Sequence, residues 1–296
     1  PGVVRIFTAA DVPGERGTGM QIPDLPLFVA EGELTCGIGD FLAMVVADTK
    51  HHARQAAATV KVDYEVLEPI TDPHTALLPD SPVVHSEGTL YKTKNNIIDE
   101  THFTRGDVAA AFATAPIVFE HTWQTQSIDI AFLEPEACLA LPQGKGVKVH
   151  TQSQGSPFDH KQIAANLNLP YDDVEIALSA SGGAFGAKEE LSIQGQTALA
   201  AFLLGCPVKT ILTREQSTQH HVKRHPITLR YKVAADADGH LLALKTHIVG
   251  DAGGYAGTSG KCLLRAACHA KARHFGKAPR NERGARILAQ PRTVHH

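Results

Sequence analysis

The sequence has no unbroken apolar run of about 20 residues, so it gives no signal for a membrane-spanning helix. No Cys-x-x-Cys pair occurs among its five cysteines, Cys36, Cys138, Cys206, Cys262 and Cys268, so neither a zinc site nor an iron–sulfur cluster is signalled. Odd in number and widely spaced, the cysteines give no disulfide framework. They read as reduced, buried or half-buried thiols, in keeping with a reducing, cytoplasmic setting. A full Gly-x-Gly-x-x-Gly, a Gly-Lys-Ser/Thr loop, a Gly-x-Ser-x-Gly elbow and a His-Glu-x-x-His pair are all missing, which sets aside the commonest nucleotide, hydrolase and zinc-protease signatures. Repeats of fixed period and low-complexity segments are also missing. The first ten residues do not have the basic-then-apolar build of a secretory leader, and the first is Pro1 rather than Met, as though a beginning were missing or had been processed. A formal net charge of -3 argues against a nucleic-acid partner or a membrane-surface protein.

What is there is globular: 296 residues, 43% hydrophobic and 20% charged, enough for one large or two ordinary domains. The charge is uneven. Residues 261–296 carry nine Lys or Arg against one acid, Glu282. Lys271 to His296 has no period, and reads as a disordered basic extension.

The pattern along the chain predicts a mixed α/β, or α+β, architecture. Val3 to Phe7 reads as one short strand in a turn-rich opening. Phe41 to Ala47 reads as a buried strand, Lys50 to Thr59 as a helix capped by Asp48 or Thr49, and Val60 to Val66 as a half-buried strand. The prolines between 68 and 104 suggest a long connection. Beyond it, the pattern predicts a short helix within Thr104 to Ala115 and a strand over Ile117 to Gln124. A strand pair follows at Cys138 to Leu141 and Gly146 to His150. The next helix is capped by Ser156 and stopped by Pro170, and a strand runs over Val174 to Ser179. A long helix is expected over Lys188 to Leu204, ended by Gly205, then a strand over Val208 to Leu212. Ile227 to Ala235 and Leu241 to Val249 form a predicted hairpin around Asp238-Gly239. Three regions result: 1–90, a small α/β domain; 91–270, a larger domain; and 271–296, the tail.

Four features could carry chemistry. The loop Ser181-Gly182-Gly183-Ala184-Phe185-Gly186-Ala187 lies between a strand and a predicted helix. Its backbone could approach a ligand closely and offer amides near the helix N-terminus, or it could be a tight turn that binds nothing. Glu189, expected in the first helical turn, suits the helix dipole or a pocket where it would hydrogen-bond a polar substrate or shuttle a proton. In Thr151-Gln152-Ser153-Gln154, an uncharged glutamine amide suits the positioning of an oxo group or a water, although an ordinary polar loop has the same look. Glu134-Pro135-Glu136 could bind a cation, do acid–base work, or be a solvated loop. Among 17 histidines, His220, His221 and His225 have spacing compatible with metal ligation, but the pattern is unspecific.

Taken in order, five words resemble the molybdopterin-binding large subunit of the xanthine dehydrogenase and aldehyde oxidase family: Phe132-Leu133-Glu134-Pro135; Val149 to Gln154; Ser181 to Glu189; Thr213-Arg214-Glu215 with Arg224-His225-Pro226; and Asp251 to Tyr255. The resemblance spans roughly residues 1–270, and the first ninety or so resemble the family's α/β hammerhead domain without its beginning. Set against that resemblance, the basic extension from Lys271 is expected to be an aberrant tail left by truncation or a shifted reading frame. It implies the first part of a molybdopterin-binding domain. The implied cofactor is a molybdenum-pterin, as molybdopterin or its dinucleotide form, with no direct protein ligand to the metal. Gln152 would lie near the oxo ligand, Gly183, Ala184, Phe185 and Gly186 against the cofactor, and Glu189 would be the substrate-facing carboxylate. The resemblance further implies a small-molecule substrate, a purine or related N-heterocycle with an aldehyde as alternative, hydroxylated with oxygen from water. Iron–sulfur clusters and FAD would sit on partner domains or subunits. Ala184 and Ala187 depart from the loop's commonest form, which has glycine there. The general-base glutamate of the family falls in a stretch absent from this chain, so the chain is expected to be a fragment, inactive by itself, or a truncated non-catalytic member.

Overall fold

A computed structural model describes residues 2–85, 90, 93 and 96–257. The expected tail, Cys262 and Cys268 lie outside the described residues. The described residues form two compact units, one from the described residues of 2–96 with 129–223 and 253–257, the other from 97–128 with 224–252. No helix among the described residues is long and apolar enough to cross a membrane.

In chain order the elements are β1 (Val3–Phe7), β2 (Gly17–Thr18), β3 (Leu25–Pro26), β4 (Met44–Ala47), α1 (Lys50–Ala57), α2 (Pro73–Ala76), α3 (Val108–Thr114), β5 (Ile117–Gln124), β6 (Ala137–Gln143), β7 (Gly146–Thr151), α4 (Ser156–Leu167), β8 (Val174–Leu178), α5 (Gln194–Leu204), β9 (Val208–Ile211), α6 (Arg214–His220), β10 (Ile227–Ala235) and β11 (Leu241–Gly250). The architecture is mixed α/β, as expected.

The first unit opens with β1 antiparallel to β4, followed by α1. Thr49 caps α1 by accepting from the His52 amide, one of the two expected caps. The expected strand over 60–66 does not form. That stretch is exposed and pairs with no strand among the described residues, so its alternating pattern has no sheet to bury against. The unit's main sheet has the order β8-β7-β6-β9, with β7 and β8 parallel and the other pairs antiparallel. Helices α4 and α5 pack against it and each other. The core is Val147, Val149, Ile163, Leu167, Leu199 and their neighbours, with Phe7, Leu27 and Phe28 contributed from the opening segment.

Two details of this unit differ from expectation. Gly155, not Ser156, is the N-cap of α4, and Ser156 is its first residue. Asn168 closes the helix in the left-handed conformation that a short polar side chain tolerates. The helix expected from Lys188 starts only at Gln194, and 188–193 are turns and bends. Gly205 ends it with φ +64°, as the sequence predicts.

The second unit is an antiparallel sheet, β11-β10-β5, with α3 on β11. Asp107 caps α3 by accepting from Ala110. The predicted hairpin is present, its turn closed by Gly239 at φ +83° and by the His240 amide donating to Asp236 at 2.9 Å.

Candidate functional site

Strand β6 begins with Phe132-Leu133-Glu134-Pro135-Glu136 as its approach, and β7 ends in Thr151-Gln152. Because β6 and β7 pair with Cys138 opposite Thr151, these two segments emerge side by side. The glycine loop leaves β8, parallel to β7, at the same end of the sheet. Topology alone thus brings three of the four sequence features together.

The loop is held mostly by its own neighbours. Glu134 accepts from the Gly182 amide at 2.5 Å, and a Cβ on Gly182 would stand 2.6 Å from the Glu134 Cβ. Gln154 Oε1 accepts from the Gly186 and Lys188 amides at 3.0 and 3.3 Å, and Ala187 donates to the Ala184 carbonyl at 2.9 Å. Gly183 (φ +100°), Phe185 (φ +53°) and Gly186 (φ +92°) are left-handed. Ala184 and Ala187 are not, so the two alanines that depart from the family loop carry no backbone strain. Phe185 is the costly residue, a bulky side chain in a conformation that favours glycine. Its ring turns back to within 3.2 Å of where a Gly183 Cβ would sit, yet it remains 47% exposed. The space where a Gly186 Cβ would project is open to at least 4 Å.

Behind the loop lies a narrow crevice lined by Glu136, Gln152, Lys188, Glu190, Ser192 and Gln194 among others. Gln152 is buried. Its side-chain oxygen accepts from the Lys188 ammonium, which also donates to the Glu134 carbonyl at 2.9 Å and lies 4.5 Å from the centre of the Phe132 ring. Arg214 donates to the Leu133 carbonyl at 2.5 Å on the same side. Burial pushes the Lys188 ammonium below the ordinary lysine range, while the charges of Glu134 and Glu136 pull it back up. Glu136 is 5% exposed, and neither of its carboxylate oxygens has a hydrogen-bond partner among the described residues. The solvated-loop reading of Glu134-Pro135-Glu136 is therefore wrong for Glu136.

Glu189 is solvent-exposed and lies in a bend rather than in the first turn of a helix, so the expected helix-dipole role is removed. The helix N-terminus that was expected to support the loop amides is likewise several residues away. Among the described residues, His220, His221 and His225 do not form a metal-compatible grouping. His220 is hydrogen-bonded to the Gly39 carbonyl at 3.0 Å and lies against Phe41, while His221 pairs with Asp129 at 3.2 Å. Among the described residues the one metal-compatible grouping is Asp236, Asp238 and His240, at the hairpin turn of the second unit. Of the cysteines, Cys36 is half-buried and Cys138 buried as expected, but Cys206 is exposed.

Sequence reading did not single out Lys188, and although it named the segments holding Glu136 and Gln154 it foresaw neither the burial of Glu136 nor the hold of Gln154 on the loop amides. Glu136 had a signal. It shares the inward parity of Cys138 and Ala140 along β6, so the strand's two-residue period points it into the core. Lys188 had none, because a lysine after a glycine loop most simply reads as the exposed start of a helix.

The donors left over are informative. The amides of Gly183 and Ala184 and the Gln152 Nε2 have no hydrogen-bond partner among the described residues. Together with the open space beside Gly186, this is a set of uncharged donors on a close-approach backbone, suited to an anionic, oxygen-rich group. Fold and loop thus define a cofactor-binding α/β domain behind a small α/β module. The chain belongs to the aldehyde oxidase and xanthine dehydrogenase family: residues 1–68 match its a/b hammerhead domain and residues 90–277 match the molybdopterin cofactor-binding domain. It is 35% identical to a probable xanthine dehydrogenase subunit of Bacillus subtilis over 89% of this chain and 34% of that protein. It is 34% identical to the nicotinate dehydrogenase large molybdopterin subunit of Eubacterium barkeri over 90% of this chain and 61% of that protein. The aldehyde oxidoreductase of Desulfovibrio gigas superposes with a TM-score of 0.78 at 27% identity, over 85% of this chain and 28% of that one. The chain therefore spans from about a third to three-fifths of the length of these curated relatives.

Proposed function

We propose that this chain forms one wall of the molybdenum-pterin site of an oxidoreductase that hydroxylates a purine or related N-heterocycle. The observation that carries the reading is the pair of Gly183 and Ala184 amides, without a partner among the described residues, on a loop bent by three left-handed residues; the Gln152 Nε2 likewise has none. When bound, the cofactor would supply two-electron oxidation of an electron-poor carbon with oxygen drawn from water. The chain's own part is positioning. Gly183 to Gly186 would hold the cofactor by close backbone approach. The Gln152 Nε2 would donate to its oxygen-bearing edge. Phe185, half-exposed and held in a strained conformation, would present an apolar face to a planar ring.

Glu189, solvent-exposed and without an ion-pair partner among the described residues, would accept from a ring N–H of the substrate, a role its exposure supports. An N-heterocycle is favoured over an aldehyde because two relatives at 34–35% identity carry xanthine and nicotinate in their names, and both compounds are N-heterocycles. Both relatives are also named as subunits, one of them as a large molybdopterin subunit, which supports an assembly in which iron–sulfur clusters and flavin lie on other domains or chains.

Metal and pterin analysis of the full chain, purified from a host that makes the cofactor, tests the reading. Molybdenum and pterin in near one-to-one ratio with the chain are expected, and a folded chain devoid of both overturns it. In the assembled enzyme, Glu189→Ala should lower purine turnover at least tenfold and leave aldehyde turnover within twofold. Equal loss on both substrates would remove the substrate-facing role.

A further inference from the structure

Building on the reading of Gln152 as a cofactor-facing group, we propose that Lys188 is a positioning residue that fixes which end of the Gln152 amide meets the ligand, with the buried Glu136 carboxylate as its counter-charge. A glutamine amide has two faces of opposite character, and a flip exchanges donor for acceptor. An ammonium removes the ambiguity. It carries three donors and no acceptor, so it can meet the amide only at oxygen. Lys188 Nζ does so, and the Gln152 Nε2 is thereby turned away, without a partner among the described residues.

The clamp itself is rigid. Lys188 is 3% exposed, and its ammonium is tied to the Glu134 carbonyl and covered by the Phe132 ring. Phe132 is fully buried and also meets His221, at 4.8 Å between ring centres. The lysine therefore cannot swing out to solvent without leaving a void beside this ring.

Glu136 supplies the reason a buried cation is tolerated. A buried carboxylate lacking hydrogen bonds is costly unless an opposite charge is near. Lys188 is the cation that lines the same crevice, and Glu134 is the other acid whose charge reaches it. Arg214, 6.0 Å from the centre of the Phe132 ring, opposes the lysine's charge and so strengthens the need for both acids. The orientation of Gln152 is in this way set by the chain before any ligand arrives, which is preorganisation of the donor.

Three variants and one resonance test the clamp. Gln152→Glu keeps the acceptor for Lys188 and deletes the donor. It should leave the melting temperature unchanged or raised, and lower molybdenum per chain at least tenfold. A melting temperature lowered by more than about 5 °C would mean a buried carboxylate with no clamp, and would overturn the proposal. Molybdenum content equal to wild type in that variant would overturn it as well.

Lys188→Met should shift the Gln152 side-chain carbonyl carbon resonance upfield in glutamine-labelled chain, with the signal assigned by its loss in Gln152→Glu. Lys188→Arg, still a pure donor, should restore part of that shift. An unmoved resonance in Lys188→Met overturns the clamp. The resonance is read in cofactor-free chain, so it judges the clamp even if wild type holds no molybdenum, a result that would overturn the functional reading alone. Should Lys188→Met not fold, Gln152→Glu and Lys188→Arg carry the decision.

Discussion

Strands β5 and β6 are similar in length and pair antiparallel, β5 with β10 and β6 with β7 and β9, yet β6 buries alternate residues and β5 leaves all eight exposed. The β6 sheet is covered by α4 and α5, so its two-residue period becomes a division between inside and outside. In the β5 sheet the helix α3 packs on β11, and Phe119, His121 and Trp123 contact one another along an exposed row. The difference teaches that period alone announces a strand, while burial needs a covering layer. It also identifies which polar residues are unusual. A glutamate continuing the inward register of a covered strand, as Glu136 does just before β6, stands at a parity where the following residues, Cys138 and Ala140, are apolar and buried.

The comparison breaks if truncations in the two sheets cost the same. Phe132→Ala, at the approach to β6, should destabilise the chain by about 3–5 kcal/mol in urea unfolding, since the ring is fully buried between Lys188 and His221. Asp159→Asn probes the polar side of the same unit. Burial pushes the Asp159 carboxyl up to about 6, with the Glu190 charge adding to it and Ser153 opposing. The folded chain thus holds the proton more tightly than the unfolded one. Stability from this group is full below the unfolded value near 3.8 and is lost as pH rises through about 6. The asparagine variant should therefore gain on the order of 2 kcal/mol at pH 8 and almost nothing at pH 4, and a pH-independent difference would refute the assignment.

Trp123→Ala, in the uncovered sheet, should cost about 1 kcal/mol or less, because it loses edge contacts to His121 and Tyr231 but little burial. The smallest effect belongs to Glu33→Gln, which removes the half-exposed pair with Arg16 at 2.5 Å and should cost about 0.5 kcal/mol, less in high salt. A loss at Trp123 as large as that at Phe132 would mean the exposed row is covered in solution.

Much of the fold was legible because its signals are local. The hairpin β10–β11, the strand β5 and the Gly205 stop of α5 follow from alternation and from residues that tolerate left-handed backbone. The start of α5 was not legible. Nothing in Lys188-Glu189-Glu190 opposes a helix, and what holds these residues out of one is the main-chain contact of Lys188 with Gln154 and the tie of its ammonium to Gln152 and Glu134. The strand expected at 60–66 failed for the opposite reason, because a good local pattern found no partner.

By itself the sequence determined the family, the succession of elements and the loop that bends at Gly183 and Gly186, since these depend on residue type and order along the chain. Only the tertiary structure decided that Glu136 is buried while Glu189 is exposed, that the alanines of the loop escape strain while Phe185 bears it, and that an ammonium meets Gln152 at its oxygen. Those outcomes depend on which segments the sheet order β8-β7-β6-β9 brings together, and the burial of a charge is settled by its neighbours in space and not by its neighbours in sequence.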